Sequence, residues 1–261
     1  MDATANVKSH VIAIDVAEIG AAMVDVSTTA AAGAVGIDGA GGIDGIRNAG
    51  RVDVTATTTI NALDAAANFI GYASGNVRMT NSVAALGIRS SDFSVAQTAG
   101  ETIQNAAGAS VNVLAQGTTD LRHYIVQGGG GIVAKAGAEG HALAIGLLGS
   151  QGGDTILNDG TNSASASMEI SSSGANFQLS GAILDTAGLN VWSEADGIEA
   201  AAGANAVTNS ATGRITSFAS ASTLAADFNV SFLATFGLMG VQADAVARGT
   251  HTGMEDRKSV V

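Results

Sequence analysis

The sequence has no cysteine and no proline. Without cysteine there are no disulfides, no thiolate metal sites and no cysteine nucleophile. Without proline nothing interrupts a β-ladder, because proline cannot donate a ladder hydrogen bond and avoids central strands. Aromatic residues make up only 4% of the 261 residues, so the bulky filling of an ordinary globular core is missing. Charged residues reach 13% and the formal net charge is −12. No basic face is present to gain from counterion release, which excludes a nucleic-acid partner. No apolar run reaches the length of a membrane-spanning helix. The opening residues 1–10 lack the basic region and apolar run of a signal peptide.

What is abundant is small. There are 35 glycines, and Ala, Ser, Thr, Val and Ile supply much of the rest. Thin stacked sheets can be filled by such side chains. The strongest signal is internal repetition. The stretch from Ala32 to Gly50 aligns without a gap with the stretch from Ala142 to Gly160. Gly36, Asp44, Ile46 and Asn48 of the first fall on Gly146, Asp154, Ile156 and Asn158 of the second. A looser copy carries Gly87, then extra residues, then Glu101, Ile103 and Asn105. A fourth carries Gly197, Asn205, Val207 and Asn209. A fifth is read from Gly237-Leu238 to Asp244 and Val246, with Arg248 in the asparagine position.

After each motif comes period-two alternation. Val52, Val54 and Ala56 alternate with Asp53 and Thr55. Val111, Val113 and Ala115 do the same, as do Ala164, Ala166, Met168 and Ile170. One face is apolar and the other small and polar, as in strands with one face buried. The expected fold is all-β: a parallel β-solenoid of imperfect repeats of about fifty residues. The expected organisation is a partial or capping coil over 1–29 and solenoid repeats over 30–248, starting near 32, 83, 142, 193 and 233. A tail over 249–255 follows. Residues 256–261 equal the translation of a widely used sequencing adapter, so the chain is read as a fragment of a larger protein. Two or three coils per repeat are expected, because fifty residues are too many for one narrow coil. The recurring Gly and Asn are assigned to corners: both tolerate positive φ, and inward Asn side chains can bond to each other along the axis.

The pattern small-x-small-x-Gly-Ile, Gly-x-Asp-x-Ile-x-Asn-x-Gly, followed by an alternating strand, resembles the passenger repeats of autotransporter-like, adhesin-like bacterial surface proteins. Residues Ala32 to Ala56 and Ala142 to Ile170 carry it best. The resemblance implies a right-handed parallel β-helix exported to the cell surface. It also implies a structural or adhesive role toward an unknown surface ligand or glycan, with membrane attachment only through regions outside these residues.

Two other chemistries compete. Gly42-Ile-Asp44-Gly-Ile46 and Gly152-Gly-Asp154-Thr-Ile156 resemble the second half of the repeats-in-toxin nonapeptide, making Asp44 and Asp154 calcium candidates. The nonapeptide does not recur in tandem, and a corner-capping Asp explains the same residues. A β-helical polysaccharide lyase or hydrolase would need clustered acids and bases in a groove. The basic residues are instead scattered from Lys8 to Arg248. The histidines His10, His123, His141 and His251 share no metal-like spacing, so packed or solvated imidazoles are expected. The expectation is therefore no catalytic residue and no cofactor, with calcium as the alternative.

Overall fold

The computed structural model describes residues 1–40, 45–90, 100–201, 203–232 and 236–249. Long and short strands alternate along the chain. The long ones are β1 (Asp2–Asp38), β3 (Arg51–Arg89), β5 (Ser110–Leu148) and β7 (Thr161–Glu199). The short ones are β2 (Gly45–Asn48), β4 (Thr102–Asn105), β6 (Thr155–Asn158) and β8 (Ala206–Asn209). The last turn is split into β9 (Arg214–Ser231) and β10 (Phe236–Gly249), both paired with β7. All pairing is parallel, in the orders β1-β3-β5-β7 and β2-β4-β6-β8. This is a parallel β-solenoid.

The register sets the size of a coil. Asp2 pairs with Asp53, Arg51 with Ser110, Ser110 with Thr161 and Thr161 with Arg214, offsets of 51, 59, 51 and 53. The pairing offset equals the sequence repeat, so each repeat is one wide coil, not two or three. The length is accommodated by folding each long strand on itself at a glycine. Gly20, Gly71, Gly130 and Gly181 stand in register and have φ of 111°, 133°, 121° and 129°. The arms before and after that corner face each other. Inward residues are even-numbered before the corner in β3 (Val52, Val54, Ala56, Ile60, Ala62, Ala66) and odd-numbered after it (Ala73, Val77, Met79, Val83, Ala85). A one-residue change of parity at the bend keeps both apolar sets in the same interior. The run 128–131 is part of this corner, and 59–68 is strand throughout.

One expectation about boundaries changes. Residues 1–29 form, from Asp2 onward, the first part of β1, in register with residues 53–80 of β3. The fifth copy is misplaced. Gly237 pairs with Ile183, not with Gly197, so the start near 233 is out of register with the others. The starts at 32, 83, 142 and 193 lie side by side: Ala32 pairs with Val83, Val83 with Ala142 and Ala142 with Ser193. Asp44 and residues 250–261, including His251 and the adapter-like ending, lie outside the described residues.

The interior is filled by matching large residues to small neighbours. Met168 sits where Gly117, one coil back, and Gly140 on the facing arm leave room; a Cβ on either glycine would collide with its side chain. Ile60, Ile103, Leu121, Ile125, Ile156 and Ile170 are buried to below 2% exposure. Such packing stabilises by roughly 25 cal/mol per Å² of apolar surface removed from water, most of it in the inner coils of β3, β5 and β7.

Candidate functional site

The repeated motif residues occupy equivalent places. Gly36, Gly87, Gly146 and Gly197 lie near the end of the second arm, where the coil closes against the start of the next first arm. Their φ is not positive, so the turn reading is corrected for them: what they provide is clearance. A Cβ on Gly36 would meet the Gly87 carbonyl and the Val52 and Val54 side chains, and one on Gly87 would meet Val111 and Val113. Ile46 pairs with Ile103, Ile103 with Ile156 and Ile156 with Val207, the inward column of the short sheet.

Asn48, Asn105, Asn158 and Asn209 stand in one column and form a continuous amide ladder. Nδ2 of Asn48 donates to Oδ1 of Asn105 at 2.9 Å, Asn105 to Asn158 at 2.8 Å, and Asn158 to Asn209 at 2.7 Å. Oδ1 of Asn48 also accepts from the Gly50 amide at 3.0 Å, closing the corner. The asparagines act through their side chains; none has positive φ. A second ladder, not anticipated from the sequence, closes the glycine corner. Nδ2 of Asn68 donates to the Gly20 carbonyl at 2.7 Å, and Nε2 of Gln178 to the Gly130 carbonyl at 2.6 Å. Gln127 holds the Gly71 carbonyl in the same way.

Asp154, the calcium candidate within the described residues, is buried and caps a bend. Its carboxylate accepts from the Ser150 amide at 2.6 Å and the Glu101 amide at 3.0 Å, while its own amide donates to Oδ1 of Asn205 at 2.8 Å. What that carboxylate faces are hydrogen-bond donors, the two amides and the Ser150 hydroxyl, as in a corner-capping role. Glu101 is buried with both carboxyl oxygens lacking a hydrogen-bond partner.

Among the described residues, ionisable groups also converge around His123, and the sequence reading missed it. His123 in β5 is 2% exposed. Its Nε2 lies 3.5 Å from Oδ1 of Asp185 on the facing arm of β7 and 3.7 Å from Oδ1 of Asp227 in β9. Asp185 and Asp227 have fully buried side chains. One glycine makes the cluster possible. Gly174 stands between His123 and Asp227 in the register, and a Cβ there would overlap the imidazole. Asp64 pairs with His123 from the coil before and is buried over Gly75. Burial alone would lower the His123 pKa; the carboxylates of Asp185, Asp227 and Asp64 outweigh it and hold it above the usual imidazole value. Burial, with Asp185 alongside, raises that of Asp227.

Burial pushes the Asp64 pKa up to about 6, with Asp25 adding to the rise and His123 opposing it. The folded chain therefore holds this proton more tightly than the unfolded one. Its contribution is favourable below pH ~4 and is lost as pH rises through 6, where an ionised carboxyl must stay buried. Asp64→Asn is expected to raise the urea midpoint at pH 8 and to leave it unchanged at pH 4. Equal effects at both values would show that Asp64 does not titrate in this range.

Of the other histidines, His141 stacks on Trp192 with ring centroids 4.1 Å apart, and His10 is on the outer surface near Asn61. Outward ion pairs join Arg51 to Asp53, Arg122 to Asp120 and Arg89 to Asp38. Such exposed pairs contribute little to stability. Among the described residues the outer surface has an open depression lined by His10, Ile12, Asn61, Leu63, Arg122 and Tyr124. The acids of the buried cluster do not open onto it. No family model, curated protein or solved structure gives a match to this chain.

Proposed function

We propose that the chain is a noncatalytic structural and adhesive repeat segment of a large extracellular or cell-surface bacterial protein. The observation that carries this reading is the in-register stack: β1, β3, β5 and β7 repeat the same glycine corner, β9 continues the register, and the asparagine ladder runs from Asn48 to Asn209. A stack of this kind is a rigid spacer whose stability adds up between neighbours. Among the described residues, the His123, Asp185 and Asp227 side chains that bring acid and base together point into the interior and not onto the outer surface.

The surface offers a feature suited to attachment. Ile14, Tyr124 and Phe228 lie in one outward column, and Val16, Val126 and Phe177 in the next, at exposures of 40% to 69%. Phe177 and Phe228 meet edge to face at 6.2 Å. A contiguous exposed apolar strip of this kind is characteristic of interaction surfaces. The full chain coupled to inert beads is expected to retain them on glycan-coated or apolar surfaces. Tyr124→Ser/Phe177→Ser/Phe228→Ser is expected to reduce retention about tenfold with the circular dichroism unchanged. Retention that survives the triple substitution would reject the strip as the adhesive surface; no retention of either protein would reject adhesion and leave a spacer.

A further inference from the structure

The geometry points to a structural divalent transition-metal site, best suited to zinc, formed inside the solenoid by His123, Asp185 and Asp227. One ligand atom from each of the three residues lies within 4.8 Å of the others. The separations from the imidazole nitrogen, 3.5 and 3.7 Å, are close to the edge of a zinc tetrahedron. Bonds of about 2.0–2.1 Å at tetrahedral angles give an edge of roughly 3.3–3.4 Å, so the two edges to the imidazole need only a few tenths of an ångström, and the two carboxylate oxygens, within 4.8 Å of each other, close the third.

The donors are free to bind. Neither ring nitrogen of His123 has a hydrogen-bond partner, nor does Oδ1 of Asp185 or either carboxyl oxygen of Asp227. Buried polar atoms without partners are rare and costly, and here one from each of the three side chains meets the others within 4.8 Å. Asp185 is already oriented: its Oδ2 accepts from Nδ2 of Asn176 at 2.7 Å, and Asn176 donates to Asn229 at 2.7 Å. Such a partner fixes a ligand while leaving its other oxygen for the ion.

Charge balance is compatible with the same answer. A divalent cation with two carboxylates and a neutral imidazole sums to zero. An imidazole among two carboxylates suits zinc and its transition-metal neighbours better than calcium or magnesium, which prefer all-oxygen shells. With three protein ligands, water would complete a tetrahedral shell. The three residues come from successive coils, in β5, β7 and β9, so the ion would clamp the stack across its repeats.

The test uses the full chain, stripped with chelator and titrated with zinc or cobalt(II). One equivalent is expected to bind, with cobalt giving tetrahedral visible absorption and zinc raising the melting temperature in a concentration-dependent way. Asp227→Asn and His123→Gln are expected to weaken zinc binding by at least about a hundredfold. Asp227→Asn should fold at least as well as the metal-free parent, since it removes a buried like charge. His10→Ala, on the outer surface, should leave binding unchanged. The absence of one-to-one binding, or binding that Asp227→Asn and His123→Gln leave intact, would overturn the site.

Discussion

Gly130→Val is expected to break the solenoid at its centre, while Gly188→Ala in the next coil leaves it untouched. Gly130 has φ of 121°, a conformation open only to glycine. A Cβ there would overlap the carbonyl oxygen of Gly71 and crowd the amide of Gln127, the group that closes the corner below. Backbone strain of about 1–3 kcal/mol adds to overpacking of similar size, and the neighbouring corners at Gly71 and Gly181 lose their alignment as well. A loss of more than about 3 kcal/mol, or insolubility, is expected in urea unfolding followed by circular dichroism. Gly188 is exposed in β7, has ordinary φ, and a Cβ on it would touch nothing within 4 Å, so Gly188→Ala should move the midpoint by less than about 0.5 kcal/mol. Equal tolerance at both positions would mean that the long strands do not fold at the glycine column.

That glycine column is also where the sequence was hardest to read. Period-two alternation in Val52, Val54 and Ala56 and its equivalents identifies strands, and the spacing of Gly36, Gly87, Gly146 and Gly197 matches the coil. The number of coils per repeat was not legible, because a 39-residue strand with one bend alternates in the same way as two separate strands. Only the parity change after Gly71 marks the bend, and exposed Phe69 and Ile70 beside it blur that change. The fifth copy misled for a related reason: in so alanine- and glycine-rich a chain, Gly237-Leu238 imitates the motif in the wrong register. The buried cluster was invisible for a different reason. His123, Asp185 and Asp227 are far apart in sequence and meet only because successive coils stack on one another. The one local trace is negative: Gly174 interrupts an inward column where a side chain would otherwise stand.

The amide ladder sets the other large expectation. Asn105→Leu should cost about 3–5 kcal/mol, and Asn209→Leu less than about 1 kcal/mol. Asn105 is fully buried and makes three contacts: it accepts from Asn48 at 2.9 Å, donates to Asn158 at 2.8 Å and donates to the Thr161 carbonyl at 3.2 Å. Leucine is close in volume but leaves the Asn158 side-chain oxygen without its Asn105 donor and the Asn48 amide without its Asn105 acceptor, and removes the extra bond to the Thr161 carbonyl. Each buried group so orphaned costs about 1–3 kcal/mol. Asn209 sits at the exposed end of the same column, where water replaces what is lost, although Asn158 still donates to it. The ladder is also expected to be cooperative, because each amide is polarised by the one before it. A double-mutant cycle between Asn105 and Asn158 should therefore return a coupling of at least about 1 kcal/mol, whereas Asn105 paired with Thr186, on an outer position of β7, should be additive. Additivity within the column would reduce the asparagines to independent corner caps, and the end-to-end continuity of the stack would then rest on the backbone ladders alone.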